Sequence, residues 1–251
     1  MKLALYQGPS PAGATADGLA TLGRMLLAAG TAGARMAVFP EVFLPGYNVA
    51  DPGSAARSLA DWAEVLSALA RTAGCGVTVG VAERDGTQLF NSAIALGPDG
   101  TLLSHYRKTQ LYGSREKRLY EPGTSHAMFD FEGCRIALLI CYDIEFAPLI
   151  RDLEGRGAQL ILCPTANMQP FTHVACLTVP AQAVNHAVAI AYANYCGSEG
   201  DLTYCGGSVL VGADGAVHAR AGLAEALLIA DLPDPDPSLL STQLDDFRPV
   251  E

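Results

Sequence analysis

Residues 138 to 146 read Leu-Leu-Ile-Cys-Tyr-Asp-Ile-Glu-Phe (LLICYDIEF) and close an apolar run that begins at Ile136. The run IALLI, 136 to 140, shows no alternation, as expected of a strand covered on both faces. Residues 146 to 157 read as a helix, so Cys141 ends a strand and 142 to 145 form a strand-to-helix turn. α/β sheets bind ligands at that end of their strands. A buried cysteine is usually a small hydrophobe, and core packing is the plain reading of Cys141. The turn adds a sharper one: a nucleophile whose thiolate is favoured by the helix N-terminus, with the Tyr142 amide facing a developing oxyanion.

Working outward, short apolar runs alternate with helical patterns: LALY, residues 17 to 30, MAVF, residues 54 to 73, then VTVGVA. This alternation predicts an α/β layered fold. The helix over 54 to 73 has Pro52 near its start, Leu59, Trp62, Leu66 and Leu69 on one face, and Gly74 to end it. LFNSAIALGPDGTLLSHY, 89 to 106, is a pair of strands joined by Gly-Pro-Asp-Gly, and SVLVGADGAVHARAG, 208 to 222, repeats the device. No internal repeat or low-complexity linker divides the chain, so residues 1–251 read as one domain with a Pro/Asp-rich C-terminal tail from Leu232 to Pro237.

Half of the 251 residues are hydrophobic and 17% are charged, yet no apolar stretch reaches the ~18 residues of a membrane span. A net charge of −10 opposes partners that present phosphates, so neither nucleic acid nor an acidic membrane surface is expected. Seven cysteines without a CxxC pair suggest neither a disulfide framework nor a zinc site, and no metal or other cofactor is expected. Reduced thiols and the lack of a signal-like start place the protein in the cytoplasm.

A nucleophilic thiol needs a base. None of the five histidines sits in a setting comparable to the turn after Cys141. Cys163 ends a similar run, LILC, but is followed by Pro164, which has no N–H to offer an oxyanion. Two carboxylate and ammonium positions stand out instead. AVFPEVFLPGY, 37 to 47, puts Glu41 at a strand end among apolar neighbours, and HYRKTQLYGSREKRLYEPG, 105 to 123, puts Lys108 at the end of a hairpin strand. Each taken alone reads as a surface charge. With Cys141 they suggest a triad in which the glutamate moves the thiol proton and the ammonium holds the charge of a tetrahedral intermediate.

These segments together resemble the nitrilase superfamily of carbon–nitrogen hydrolases. FPEVFLPGY is similar to its glutamate block, YRKTQLYG to its lysine block and LLICYDIEF to its cysteine block, in the family's order. LILCPTANM and YANYCGSEGDLTYCGGS (192 to 208) resemble further family segments, so the likeness spans nearly the whole chain. The resemblance implies a four-layer α-β-β-α sandwich and subunits that pair, with a homodimer or higher homo-oligomer expected. It implies Glu41 as general base, Lys108 as stabilising cation, Cys141 as nucleophile and Glu116 as a second site glutamate, a residue that would otherwise read as solvated within SREKR. Substrate or oxyanion contacts are implied at Tyr142, Tyr47, Tyr112 and Glu145, and at Thr165, Ala166 and Asn167.

The departures are Gln110 where histidine is common, Pro148 where an acidic residue often stands, and Glu145. Branches handling ω-amides of oxo-acids resemble CYDLRFPE, with arginine in place of Glu145. A carboxylate there would repel an anionic substrate if it faces the pocket; a helix-start glutamate favoured by the macrodipole is the other reading. The sequence therefore predicts an amidase that hydrolyses a small carboxamide through a thioester at Cys141. A nitrilase or N-carbamoyl amide hydrolase with the same triad is the near alternative, and a catalytically silent binding module the alternative of another class.

Overall fold

The structure, a computed structural model, describes residues 1–248. β1 (Lys2–Gln7) and β2 (Met36–Val38) run parallel and are joined by α1 (Thr15–Thr31). α2 (Leu59–Ala73) leads into β3 (Gly76–Asp85), which lies parallel to β2 and then turns back through β4 (Gln88–Leu96) and β5 (Leu102–Arg107) as an antiparallel meander. The short α3 (Gly113–Leu119) precedes β6 (Met128–Phe131) and β7 (Cys134–Leu138). Next come α4 (Ala147–Gly155), β8 (Leu160–Pro164), α5 (Val179–His186) and β9 (Ala189–Ala193), with β7, β8 and β9 parallel. A small ribbon of β10 (Ser198–Glu199) and β11 (Leu202–Thr203) is followed by β12 (Val209–Val211), β13 (Val217–Arg220), β14 (Ala226–Asp231) and α6 (Gln243–Asp246).

Two six-stranded sheets result, ordered β14-β1-β2-β3-β4-β5 and β13-β12-β9-β8-β7-β6. Strand periodicity makes each sheet two-faced. Leu3 and Leu5 of β1 join Ile136, Leu138 and Leu162 between the sheets, whereas Ala4 and Tyr6 pack with Leu22, Leu26, Trp62 and Leu66 of α1 and α2. On the opposite side, Ile150, Leu153, Val179 and Ala183 of α4 and α5 cover the second sheet. The layers are thus α-β-β-α. Each fully buried leucine, isoleucine or valine among these contributes about 1.5–3 kcal/mol of burial. Among the described residues no helix is long and apolar enough to cross a membrane.

Three elements differ from the sequence expectation. α2 begins at Leu59 because Ser58 accepts the Asp61 N–H and caps it there; Pro52 belongs to a separate 3-10 turn capped by Asp51. β4 is the centre of a three-stranded meander, since Asp85-Gly86 also makes a turn and Gly86 takes a left-handed φ of 58°. β14, just before the tail, pairs along β1 at the sheet edge. Its half-exposed residues show no clean alternation, so it carries little strand signal.

Candidate active site

Glu41 follows β2 in a turn laid directly on β3. Gly80 makes this possible: a Cβ there would come within 2.3 Å of the Val42 nitrogen and 2.5 Å of the Glu41 Cα. The Gly80 N–H donates to Pro40 O at 3.0 Å, and Val42 takes a φ of 43°, unusual for a β-branched residue. The Glu41 side chain is fully buried. Its Oε1 accepts from Lys108 Nζ at 2.6 Å and from Asn91 Nδ2 at 2.6 Å, while Oε2 is buried with no partner among the described residues.

Lys108 is fixed through its backbone on both sides. Its N–H donates to Asn91 O and its carbonyl accepts from the Gly123 N–H, each at 2.8 Å. The EPG turn therefore matters through Gly123, where a Cβ would sit 2.1 Å from Arg107 O. The ammonium also donates to Glu116 Oε1 at 2.9 Å. Glu116 itself is buried on α3 and accepts from Tyr47 Oη at 2.7 Å and the Tyr112 N–H at 2.9 Å. It is no solvated loop carboxylate. Two of the three lysine donors are thus occupied by carboxylates, which leaves one.

Cys141 stands past the end of β7, with a φ of 47°, at the head of a 3-10 turn, Cys141–Glu145. A left-handed φ on a non-glycine residue is costly and must be held by its surroundings. Asp143 does the holding. Its buried carboxylate accepts from the Ile140 N–H at 3.0 Å, the Gln110 N–H at 2.9 Å, Thr109 Oγ1 at 3.1 Å and Tyr106 Oη at 2.9 Å. One side chain therefore ties the cysteine turn of one sheet to the lysine loop of the other. The Glu41 N–H donates to Thr165 O at 3.3 Å and links a second pair of strand ends.

Charge is crowded here. Burial pushes Glu41 up to about 7, against the pull of the Lys108 ammonium, and Glu116 adds to the push. Burial alone would lower Lys108, but the two carboxylates hold it well above the usual lysine value. Burial and then the Glu41 carboxylate raise the Cys141 thiol well above its ordinary value, while Lys108 and the nearby Ala166 amide pull it down. Burial and the Glu41 carboxylate thus oppose the expected helix-assisted thiolate, and the thiol stands beside a carboxylate itself pushed up to about 7.

The sulfur opens into a pocket of about 270 Å³ whose wall includes Tyr47, Tyr112, Tyr142, Glu145, Asn167, Met168, Phe171 and His173. Of the residues implied by resemblance, Tyr47, Tyr112, Tyr142, Glu145 and Asn167 reach this wall. Ala166 brings its amide near the sulfur, whereas Thr165 turns its hydroxyl to Cys163 O at 3.1 Å and stands behind the site. Cys163 is fully buried in the core. Asn91, Asp143 and His173 were not singled out from sequence. Asn91 and Asp143 act through hydrogen bonds between distant segments, which no local pattern announces, and His173 lies in an irregular stretch.

A carbon–nitrogen hydrolase family model matches residues 2–236. The chain is a carbon–nitrogen hydrolase. It belongs to the amidase-like branch of the nitrilase superfamily and acts on carbon–nitrogen bonds. This hydrolase is 39% identical over 238 residues to a protein of Pseudomonas protegens described as a hydrolase in the pqqF 5' region, covering 92% of this chain and 82% of that one. It is 31% identical to the human omega-amidase NIT2, covering 81% and 78% of the two chains. The amidase from Nesterenkonia sp. AN1, solved as a double mutant with acrylamide, superposes with a TM-score of 0.87 at 31% identity, over 93% of this hydrolase and 91% of that chain.

Proposed function

We propose that this hydrolase is a cofactor-independent amidase that converts a small carboxamide to the carboxylic acid and ammonia through a thioester at Cys141. The observation that carries the reading is the polar capacity left in the buried cluster: among the described residues Glu41 Oε2 has no partner, and Lys108 has one donor beyond its two carboxylates. Glu41 takes the thiol proton as the sulfur attacks the carbonyl carbon. The third Lys108 proton and the Tyr142 amide receive the oxyanion; a single donor of this kind is worth roughly 10²–10³ in rate. Glu41 then passes its proton to the amide nitrogen, the C–N bond breaks and ammonia leaves. Water, deprotonated by Glu41, attacks the thioester and releases the acid and the thiol.

Glu116 positions rather than reacts: it holds Lys108 and, through Tyr47 and the Tyr112 amide, the pocket wall. The seven free cysteines fit a reducing compartment, and we take that compartment to be the cytoplasm. The test is ammonia release over a panel of matched amides, nitriles and carbamoyl compounds. Amides are expected to lead. Cys141→Ala should abolish turnover and Cys163→Ala should keep most of it; a folded, inactive Cys163→Ala beside an active Cys141→Ala would overturn the assignment.

A further inference from the structure

We infer that the amide taken by this site carries a cationic group, an ammonium separated from the carboxamide by a short spacer and held at the pocket mouth by Glu145 and the aromatic wall. The inference deepens the amidase reading and rests on it. Four aromatic rings, Tyr47, Tyr112, Tyr142 and Phe171, line the pocket, and its wall contains one carboxylate, Glu145, and no lysine or arginine. Tyr112 meets Tyr142 edge-to-face at 5.3 Å and Phe171 at 6.2 Å, with interplanar angles of 72° and 77°. Aromatic rings gathered on a pocket wall attract a cation through their π faces.

The positive charge nearest the sulfur, Lys108, offers an anion little. It is already bonded to two carboxylates, so the cluster with both ionised carries a net −1. The chain as a whole carries −10, which biases approach in the same sense. Glu145 is exposed at the mouth while Cys141 starts the same 3-10 turn. The modest pocket volume of about 270 Å³ suits a short linear spacer. His173, on the same wall, is the one residue there that becomes cationic on protonation and is the control for the opposite preference.

The experiment compares 4-aminobutanamide, pentanamide and succinamic acid, matched in length and differing in terminal charge, by ammonia release. The cationic amide should exceed the neutral one by about two- to fivefold in kcat/KM, the size of one solvent-screened ion pair, and the anionic one by more. Glu145→Gln should bring the cationic-to-neutral ratio to near one, and Glu145→Lys should reverse the ranking. A ratio that survives Glu145→Gln, or a preference for the anionic amide that His173→Gln removes, would overturn the inference. Calorimetric binding of the three amides to Cys141→Ala separates it from the amidase reading. Glu145-dependent binding of the cation without turnover by the intact protein sinks only the chemistry. Turnover of all three with no charge ranking sinks only the inference.

Discussion

Glu116 accepts hydrogen bonds from Lys108, Tyr47 and the Tyr112 amide, so replacing it with Gln keeps the shape but removes a charge from three donors. Substrate misplaced against the sulfur costs on the order of 100-fold, and Glu116→Gln is expected to lose at least that in kcat/KM. Alkylation of Cys141 should change little; peptide mapping is needed because Cys176 is exposed and Cys141 only partly so. Kinetics within a few-fold of wild type would remove Glu116 from the site. The same variant tests the electrostatics. With Glu41 pushed up to about 7, the proposed base would be protonated and idle at lower pH, so kcat/KM should rise with pH through an acid limb near 7. Glu116 is one of the causes that raise Glu41, so in Glu116→Gln this limb should move to lower pH. An unshifted limb would mean that another group sets it, bearing in mind that Glu41 and Cys141 titrate as a pair.

The elements matter through where they stop. β2, β5 and β7 each end one to three residues before Glu41, Lys108 and Cys141, and the first of these endings depends on Gly80. Gly80→Ala drives a methyl group into the Glu41–Val42 backbone. Overpacking of this kind costs roughly 1–3 kcal/mol, and the shifted Glu41 should lower kcat/KM by about 100-fold. Denaturant midpoints and kinetics on the folded variant check both; normal kinetics would show that β3 can yield without moving the base. Much of this was legible in sequence because strand ends carry their own signals: the unbroken IALLI run before Cys141, the hairpin turn before Lys108, the isolated glutamate in AVFPEVF. Glu116 was legible only by resemblance, since SREKR reads as a solvated loop and Glu116 meets Tyr47 from 69 residues away. Asp143 was hidden for the same reason: three of its four partners lie 33 to 37 residues distant on the other sheet. The raised thiol could not be foreseen, because it depends on how deeply the sulfur is buried and then on how near Glu41 comes to it. Pro148, a departure from the family pattern, sits in the first turn of α4, where proline fits without loss of a hydrogen bond.

At the scale of the whole molecule, the outer helical layer over the second sheet is left more apolar than solvent favours. Leu177 is 68% exposed and Phe247 57%, and Val184 lies two turns beyond Leu177 on the continuous helical segment 174 to 186. Gln243 of α6 donates to Asn185 O at 2.7 Å, so α6 and α5 share this face. Apolar patches of this kind mark association surfaces, and a stable pair needs about 800 Å² from each partner. The protein is therefore expected to be at least a dimer at micromolar concentration, paired through α5 and its neighbours. Leu177→Asp, which plants a charge in the middle of that face, should weaken association by at least about tenfold. The segment it perturbs begins immediately after His173 on the pocket wall, so dissociation should also loosen the mouth and raise KM more than it lowers kcat. Light scattering across a dilution series, read beside kinetics at the same concentrations, checks both parts. A wild-type protein that is only monomeric would remove the pairing, and a monomeric Leu177→Asp with unchanged KM would separate pairing from the shape of the pocket.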